Sequence, residues 1–250
     1  MNVLLVRHGE TPWNREGRYQ GRTDIPLSTD GVAQVQRLGE RLRDVELTRV
    51  ITSPLRRARA TAEAIVGTRS LVGTERAWSS AIDGAELDLS DLSNIEHDNA
   101  GERTPSRIEL DTGLLEISHG QWEGKLASEV ELSHAEMFGV WRTSPGRNSL
   151  AGPGAETLGD VEDRAWPVLE RLCASLGAND TGMIVAHDAV NRVLLCRVLG
   201  LPLERVWKFR QAAAALNILS GPSLAELQVV RLNDSEHSTP FIDNAQHRAL

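Results

Sequence analysis

The sequence predicts an α/β protein, a three-layer α/β/α sandwich built on a mostly parallel central sheet. Short apolar runs alternate with longer segments whose apolar residues recur at helical spacing. Such alternation produces a parallel sheet with helices on both faces. His8, Ser53 and His187 each stand just past an apolar run, where sheets of this kind gather their ligands.

Residues 2–6 are a compact apolar run leading into Arg-His-Gly, which reads as a buried strand ending in a functional turn. Ser28 and Thr29 offer N-caps for a helix with apolar residues at Val32, Val35, Leu38 and Leu42. Residues 50–52 are a short strand. Ser53 is then expected to cap a helix with Pro54 at its first position, where a missing N–H costs little. That helix runs through Ala58, Ala62 and Ile65. Residues 79–112 carry Asp, Glu, Ser, Asn and Gly without a sustained period and read as a polar excursion from the core.

Residues 114–117 resume an apolar run, and 124–153 mix an amphipathic helix with a Gly/Pro-rich loop, a candidate lid. Residues 155–176 are helical by Leu158, Val161, Ala165, Leu169 and Leu172, with a kink expected near Pro167. Residues 182–186 form a strand ending at His187, followed by a helix over 189–199. Residues 214–219 and 227–232 close the sheet, and a polar tail begins near Asn233. The chain reads as one domain over 1–250, with no internal repeat.

Composition narrows the function classes. A formal net charge of −8 argues against sequence-independent nucleic-acid binding, which leans on cationic surface. No apolar stretch approaches the roughly 18 residues of a membrane span. The start reaches Arg7 after a very short apolar run and lacks a basic leader, unlike a secretion signal. Cys173 and Cys196 both fall in helical segments, so a disulfide framework is not expected and a reducing cytoplasm fits.

The chemistry concentrates in VRHGETPWN at 6–14, SPLRRARATAE at 53–63, LLEISHGQWEG at 114–124 and VAHDAVNRVLL at 185–195. In this order the segments resemble the histidine phosphatase superfamily, the phosphoglycerate mutase-like family, over about residues 2–220. The resemblance implies a phosphoglycerate mutase-like fold with His8 as the nucleophile. It implies Glu116 as the acid and His187 as the second catalytic histidine. It also implies that Arg7, Arg57 and Asn14 bind the phosphate of the substrate. Arg57 is the aligned position, and Arg56 and Arg59 are its neighbours. No cofactor and no metal are implied. The expected partner is a small-molecule phosphate ester, with no nucleic acid and no membrane, and the resemblance leaves room for a homodimer through a sheet edge.

The physical reasons stand apart from the family. A neutral imidazole can attack phosphorus and split one displacement into two steps through a phosphohistidine. Guanidiniums and a second imidazole can hold the charge on the non-bridging oxygens without a metal. A carboxylic acid beside the bridging oxygen can protonate the leaving alkoxide, most effectively if its pKa is raised toward neutrality.

Rival readings accompany several positions. Glu123 competes with Glu116, and Asn14 could serve only its own turn. Gln20, Arg22 and Asn217 are pocket edges or scaffolding, and Trp122 and Trp141 could line a pocket or simply pack. Glu156 reads as a first-turn acid complementing its helix dipole. His97, His119, His134, His237 and His247 are dispersed through polar segments without metal-ligand spacing. Asp188 departs from the glycine that many members carry after the second histidine, and it is expected to cap the following helix.

The leading expectation is hydrolysis of a phosphate monoester. Mutase-type transfer is the alternative, and a non-catalytic phosphate-binding module is the second. The lid offers Lys125, Arg142 and Arg147 but no paired arginines or proline run, which favours the phosphatase.

Overall fold

The computed structural model describes residues 1–70 and 108–238. Its strands are β1 (Asn2–Arg7), β2 (Arg49–Thr52), β3 (Ile108–Leu110), β4 (Thr181–Ala186), β5 (Leu216–Ser220) and β6 (Gln228–Asp234). They form one sheet in the order β3-β2-β4-β1-β5-β6. The pairings β2–β3, β2–β4 and β1–β4 are parallel, while β1–β5 and β5–β6 are antiparallel. The helices are α1 (Pro12–Glu16), α2 (Thr29–Arg41), α3 (Arg56–Ser70), α4 (Ala127–Ser133), α5 (Ala135–Thr143), α6 (Leu158–Ala174) and α7 (Asp188–Val198).

Alternation along the strands explains the layers, because successive side chains point to opposite sheet faces. Leu4, Val6, Val50, Met183 and Val185 join Val35, Leu38, Ala58, Ala62 and Ile65 in one core, beneath α2 and α3. Val3, Leu5, Ile51 and Ile184 join Leu158, Val161, Leu169, Val190 and Leu194 in the other, beneath α6 and α7. The sheet is therefore apolar on both faces, as a buried parallel sheet must be. Among the described residues no helix is long and apolar enough to cross a membrane, and Cys173 and Cys196 are buried free thiols.

Several local expectations are corrected. Val32 is 40% exposed, outside the apolar face that Val35, Leu38 and Leu42 present. Helix α3 starts at Arg56, so Pro54 precedes it. The N–H of Arg56 donates to Asp24 Oδ1 at 2.8 Å, while Ser53 Oγ is mainly engaged elsewhere. Ile108–Leu110 pairs with β2 as an edge strand, so the polar excursion does not reach Thr112. The remainder of that excursion, 79–107 with His97, lies outside the described residues, as does the tail from 239 with His247. The part of the tail that is described continues β6 to Asp234 and packs on α2. Arg41 grips Asp234 with both terminal nitrogens, and Arg37 Nε donates to the His237 carbonyl at 2.7 Å.

Candidate active site

Strands β2, β4 and β1 are neighbours, and their carboxyl ends lie level, with Thr52 opposite Val185 and Ala186 opposite Arg7. Ser53, His187 and His8 therefore leave the sheet side by side at one rim. The His8 and His187 rings lie 5.1 Å apart, edge to face.

His8 is oriented by the residue after it. Its Nδ1 lies 2.7 Å from the Gly9 carbonyl. A carbonyl only accepts, so Nδ1 carries the proton and Nε2 keeps its lone pair. Burial, followed by the charges of Arg57 and Arg7, lowers the His8 pKa well below the usual imidazole value and keeps the ring neutral. Position 9 must be glycine because an added Cβ would lie 2.7 Å from Val35 Cγ1 and 2.8 Å from the Gly31 carbonyl oxygen.

Two arginines flank the rim. Arg7, the last residue of β1, is buried and donates from Nη1 to the Gln211 carbonyl. Arg57, in the first turn of α3, is fully buried. Its Nη1 donates to the Thr23 carbonyl at 2.9 Å and its Nη2 to the Gly21 carbonyl at 2.8 Å. Burial pulls its pKa down to about 10, so it remains a cation at neutral pH. His187 Nε2 lies 2.8 Å from Ser53 Oγ. A neutral ring accepting there from the hydroxyl carries its proton on Nδ1. Among the described residues, Arg7 Nε, Arg57 Nε and His187 Nδ1 are buried without a hydrogen-bond partner. Buried polar groups are rarely left unmatched, and these three are of the kind that holds an anion.

Glu116 completes the rim. Its Oε1 accepts from the Ile117 N–H at 2.9 Å and its Oε2 from the Asp188 N–H at 3.1 Å. Burial first, then the Asp188 charge, raise its pKa, partly offset by the Ile117 N–H and by Arg57 and Arg7. Arg164 of α6 latches the segment that carries it, donating to the carbonyls of Gly113, Leu115 and Glu116 at 2.8, 2.5 and 3.2 Å.

Asn14 sits differently. Its Oδ1 accepts from the Thr11 N–H at 3.0 Å within a capping box on α1, which leaves Nδ2 as the atom that could reach a phosphate. Glu123 takes a scaffolding position, accepting from the N–H groups of Arg22, Thr23 and His119. Gln20 accepts from the Thr11 hydroxyl, and Asn217 exchanges bonds with Gln211. Glu156 precedes α6 and clamps Arg22 and Arg164, so it is no first-turn acid; Asp160 occupies that place. Arg147 pairs with Glu162 and Asp163. Trp122 and Trp141 are fully buried, and His119 is packed between Tyr19 and Trp141 instead of in a polar segment.

Asp188 is not the helix cap. His187 holds that position without a side-chain cap, and the Asp188 carboxylate lies 3.4 Å from Arg7 Nη1 and 3.0 Å from Arg192 Nε. Two nearby guanidiniums in a buried site hold the carboxylate instead of the helix start, whose Asp188 N–H donates to Glu116 Oε2. The sequence reading passed over Arg164, Arg192 and Gln211. The i,i+4 spacing of Asp188 and Arg192 was the one local signal for this cluster.

Fold and rim together define a phosphate-handling α/β protein with a histidine at its centre. The chain belongs to the histidine phosphatase superfamily (branch 1), whose family model matches residues 3–79 and 87–235. It is 27% identical over 250 residues, the full length of both chains, to "Phosphoserine phosphatase 1" of Hydrogenobacter thermophilus. It is 32% identical over 251 residues to "Probable phosphoglycerate mutase GpmB" of Klebsiella pneumoniae, covering 98% of this chain and 99% of the relative. Among solved structures it resembles YhfR of Bacillus stearothermophilus, with a TM-score of 0.72 and 27% identity over 95% of this chain and 99% of that one. A mycobacterial glucosyl-3-phosphoglycerate phosphatase shares the fold, with a TM-score of 0.71 at 23% identity over 93% of this chain and 98% of that one.

Proposed function

We propose that the protein is a metal-independent phosphatase that hydrolyses a small-molecule phosphate monoester through a phosphohistidine on His8. The observation that carries this reading is the lone pair of His8 Nε2, held by the Gly9 contact beside three unmatched donors at one rim.

In the first step His8 Nε2 bonds to phosphorus as the P–O bond to the leaving group breaks, and the Glu116 carboxyl gives its proton to the departing alkoxide. In the second step a water oxygen attacks phosphorus, the N–P bond breaks, and the Glu116 carboxylate takes the water proton. Arg7, Arg57 and His187 hold the non-bridging oxygens through both steps, supplying the positive field a metal otherwise brings. The Asn14 amide completes the phosphate contacts. The small ester is a free metabolite, handled without nucleic acid or membrane, and the buried free thiols suit a cytoplasmic location.

Hydrolysis is favoured over mutase transfer because the lid cations are sparse and Arg147 is committed to Glu162 and Asp163. The test is phosphate release from a monoester panel in EDTA, with His8→Ala as control. The panel includes phosphoserine, and 3-phosphoglycerate with and without its bisphosphate. Chelator-resistant release that the variant loses is expected. Isomerisation without release would instead establish the mutase, and retained activity in His8→Ala would sink the phosphohistidine route.

A further inference from the structure

The residue after the second histidine has a place in the site that its position in sequence conceals. The Asp188 side chain is fully buried. It lies between Arg7 Nη1 at 3.4 Å and Arg192 Nε at 3.0 Å, while its own backbone N–H donates to Glu116 Oε2 at 3.1 Å. One residue thus touches a proposed phosphate-binding guanidinium with its side chain and the proposed acid with its backbone. Arg192 is itself fixed from behind. Its Nη1 donates to the carbonyls of Val206, at 3.2 Å, and Phe209, and its guanidinium stacks over the Trp207 ring at 5.1 Å. The carboxylate therefore has a rigid anchor on one side and a working residue on the other.

We infer that Asp188 is a positioning residue, tying the Arg7 guanidinium to the Glu116 carboxyl and setting the alkaline limit of turnover. This rests on the phosphatase reading above. The charged and titratable groups around Glu116 come from each element packed against it: Asp188 and His187 at the start of α7, Arg7 and His8 at the end of β1, Arg57 from α3 and Arg164 from α6. Among the described residues Asp188 is the negative charge that acts on Glu116. A neighbouring negative charge favours the protonated carboxyl. The same charge offsets Arg57 and Arg7, which would otherwise pull the proton away. Without it, the donor form of Glu116 is lost at lower pH, and the Arg7 guanidinium is left with the Gln211 carbonyl alone of these two holds.

The experiment measures kcat and KM against pH for the wild type and Asp188→Asn. Expected is an alkaline limb moved to lower pH. Turnover should fall about tenfold on the alkaline side, the consequence of a one-unit change in a titration, with a smaller loss on the acid side and a raised KM. A profile merely scaled down at every pH, or unchanged apart from a lower melting temperature, would reduce Asp188 to packing and overturn the inference. Because Asp188→Asn leaves Arg192 as an unpaired buried charge, the charge-neutral double variant Asp188→Asn/Arg192→Met is measured beside it. The limb should move in the double variant as well.

Wild-type protein inactive on every monoester would count against the phosphatase reading. The inference would still be legible by infrared titration of the protonated Glu116 carboxyl band, identified by its loss in Glu116→Gln. That band should persist to higher pH in the wild type than in Asp188→Asn, and equal persistence would overturn it.

Discussion

At the scale of single residues, the proposed site sets a neutral imidazole among cations. His8 resists protonation because it is buried and faces Arg57 and Arg7, so its lone pair stays available well into the acid range. Substituting His8→Asn removes the attacking atom and should cut turnover by about a thousandfold or more, measured as initial phosphate release. Glu116→Gln keeps the shape but holds no transferable acidic proton. Its kcat should fall by about 10²–10⁴ with little change in KM for a substrate whose leaving group needs protonation. An aryl phosphate with a good leaving group should be affected less. Equal losses on both substrates would argue that Glu116 positions the phosphate and does not donate.

At the scale of elements, the rim is precise because strands and helices converge on it, not because its loops are stiff. Parallel β2, β4 and β1 bring Ser53, His187 and His8 level. Helix α6 supplies Arg164, which holds the backbone carbonyls of Gly113, Leu115 and Glu116. Arg164→Met should keep most of the helix's apolar packing while freeing that segment. A displaced acid of this kind costs on the order of a hundredfold in kcat, and stability should drop far less in proportion. A variant with full kcat would show that the segment holds itself. Helix α2 is a simpler case. Ser28 Oγ accepts from the Gly31 N–H at 3.0 Å, and Ser28→Ala should cost about 1 kcal/mol by denaturant titration.

At the scale of the whole molecule, the buried histidines make the fold sensitive to acid. His119 is pushed down to about 4 by burial, and His8 and His187 are lowered too. The sign follows from linkage. Unfolded histidines take up protons near 6.5, the folded ones do not until lower pH, and so acid favours the unfolded chain. The contribution of these histidines to stability should be level above that value and decline as pH falls from about 6.5 toward 4. His119 lies among Tyr19 and Trp141. His119→Gln should flatten the melting temperature against pH across this window, even if it lowers the plateau. An unchanged slope would assign the acid sensitivity elsewhere.

Much of this was legible in the sequence alone. The sheet class, β1, β2, β4 and the helices between them follow from short-range periodicity, which one stretch of chain reports without help from the rest. The four motifs put His8 and His187 at strand ends, Arg57 at a helix start and Glu116 in the apolar run 114–117, and the topology brings them together. The sequence could not choose partners for charged groups, because that choice depends on which distant chain passes nearby and on how much water remains. Asp188 read as a cap from its neighbours, yet β1 and the 206–209 segment surround it with Arg7 and the anchored Arg192. Glu156 read as a helix acid, yet Arg22 and Arg164 claim it. Ser53 read as a helix cap, yet its hydroxyl turns to His187, delivered beside it by the parallel strand β4. Local pattern determined most of the elements and marked the candidate reactive residues. Only tertiary packing, by removing water and setting charge against charge, decided which proton each group holds and which partner each keeps.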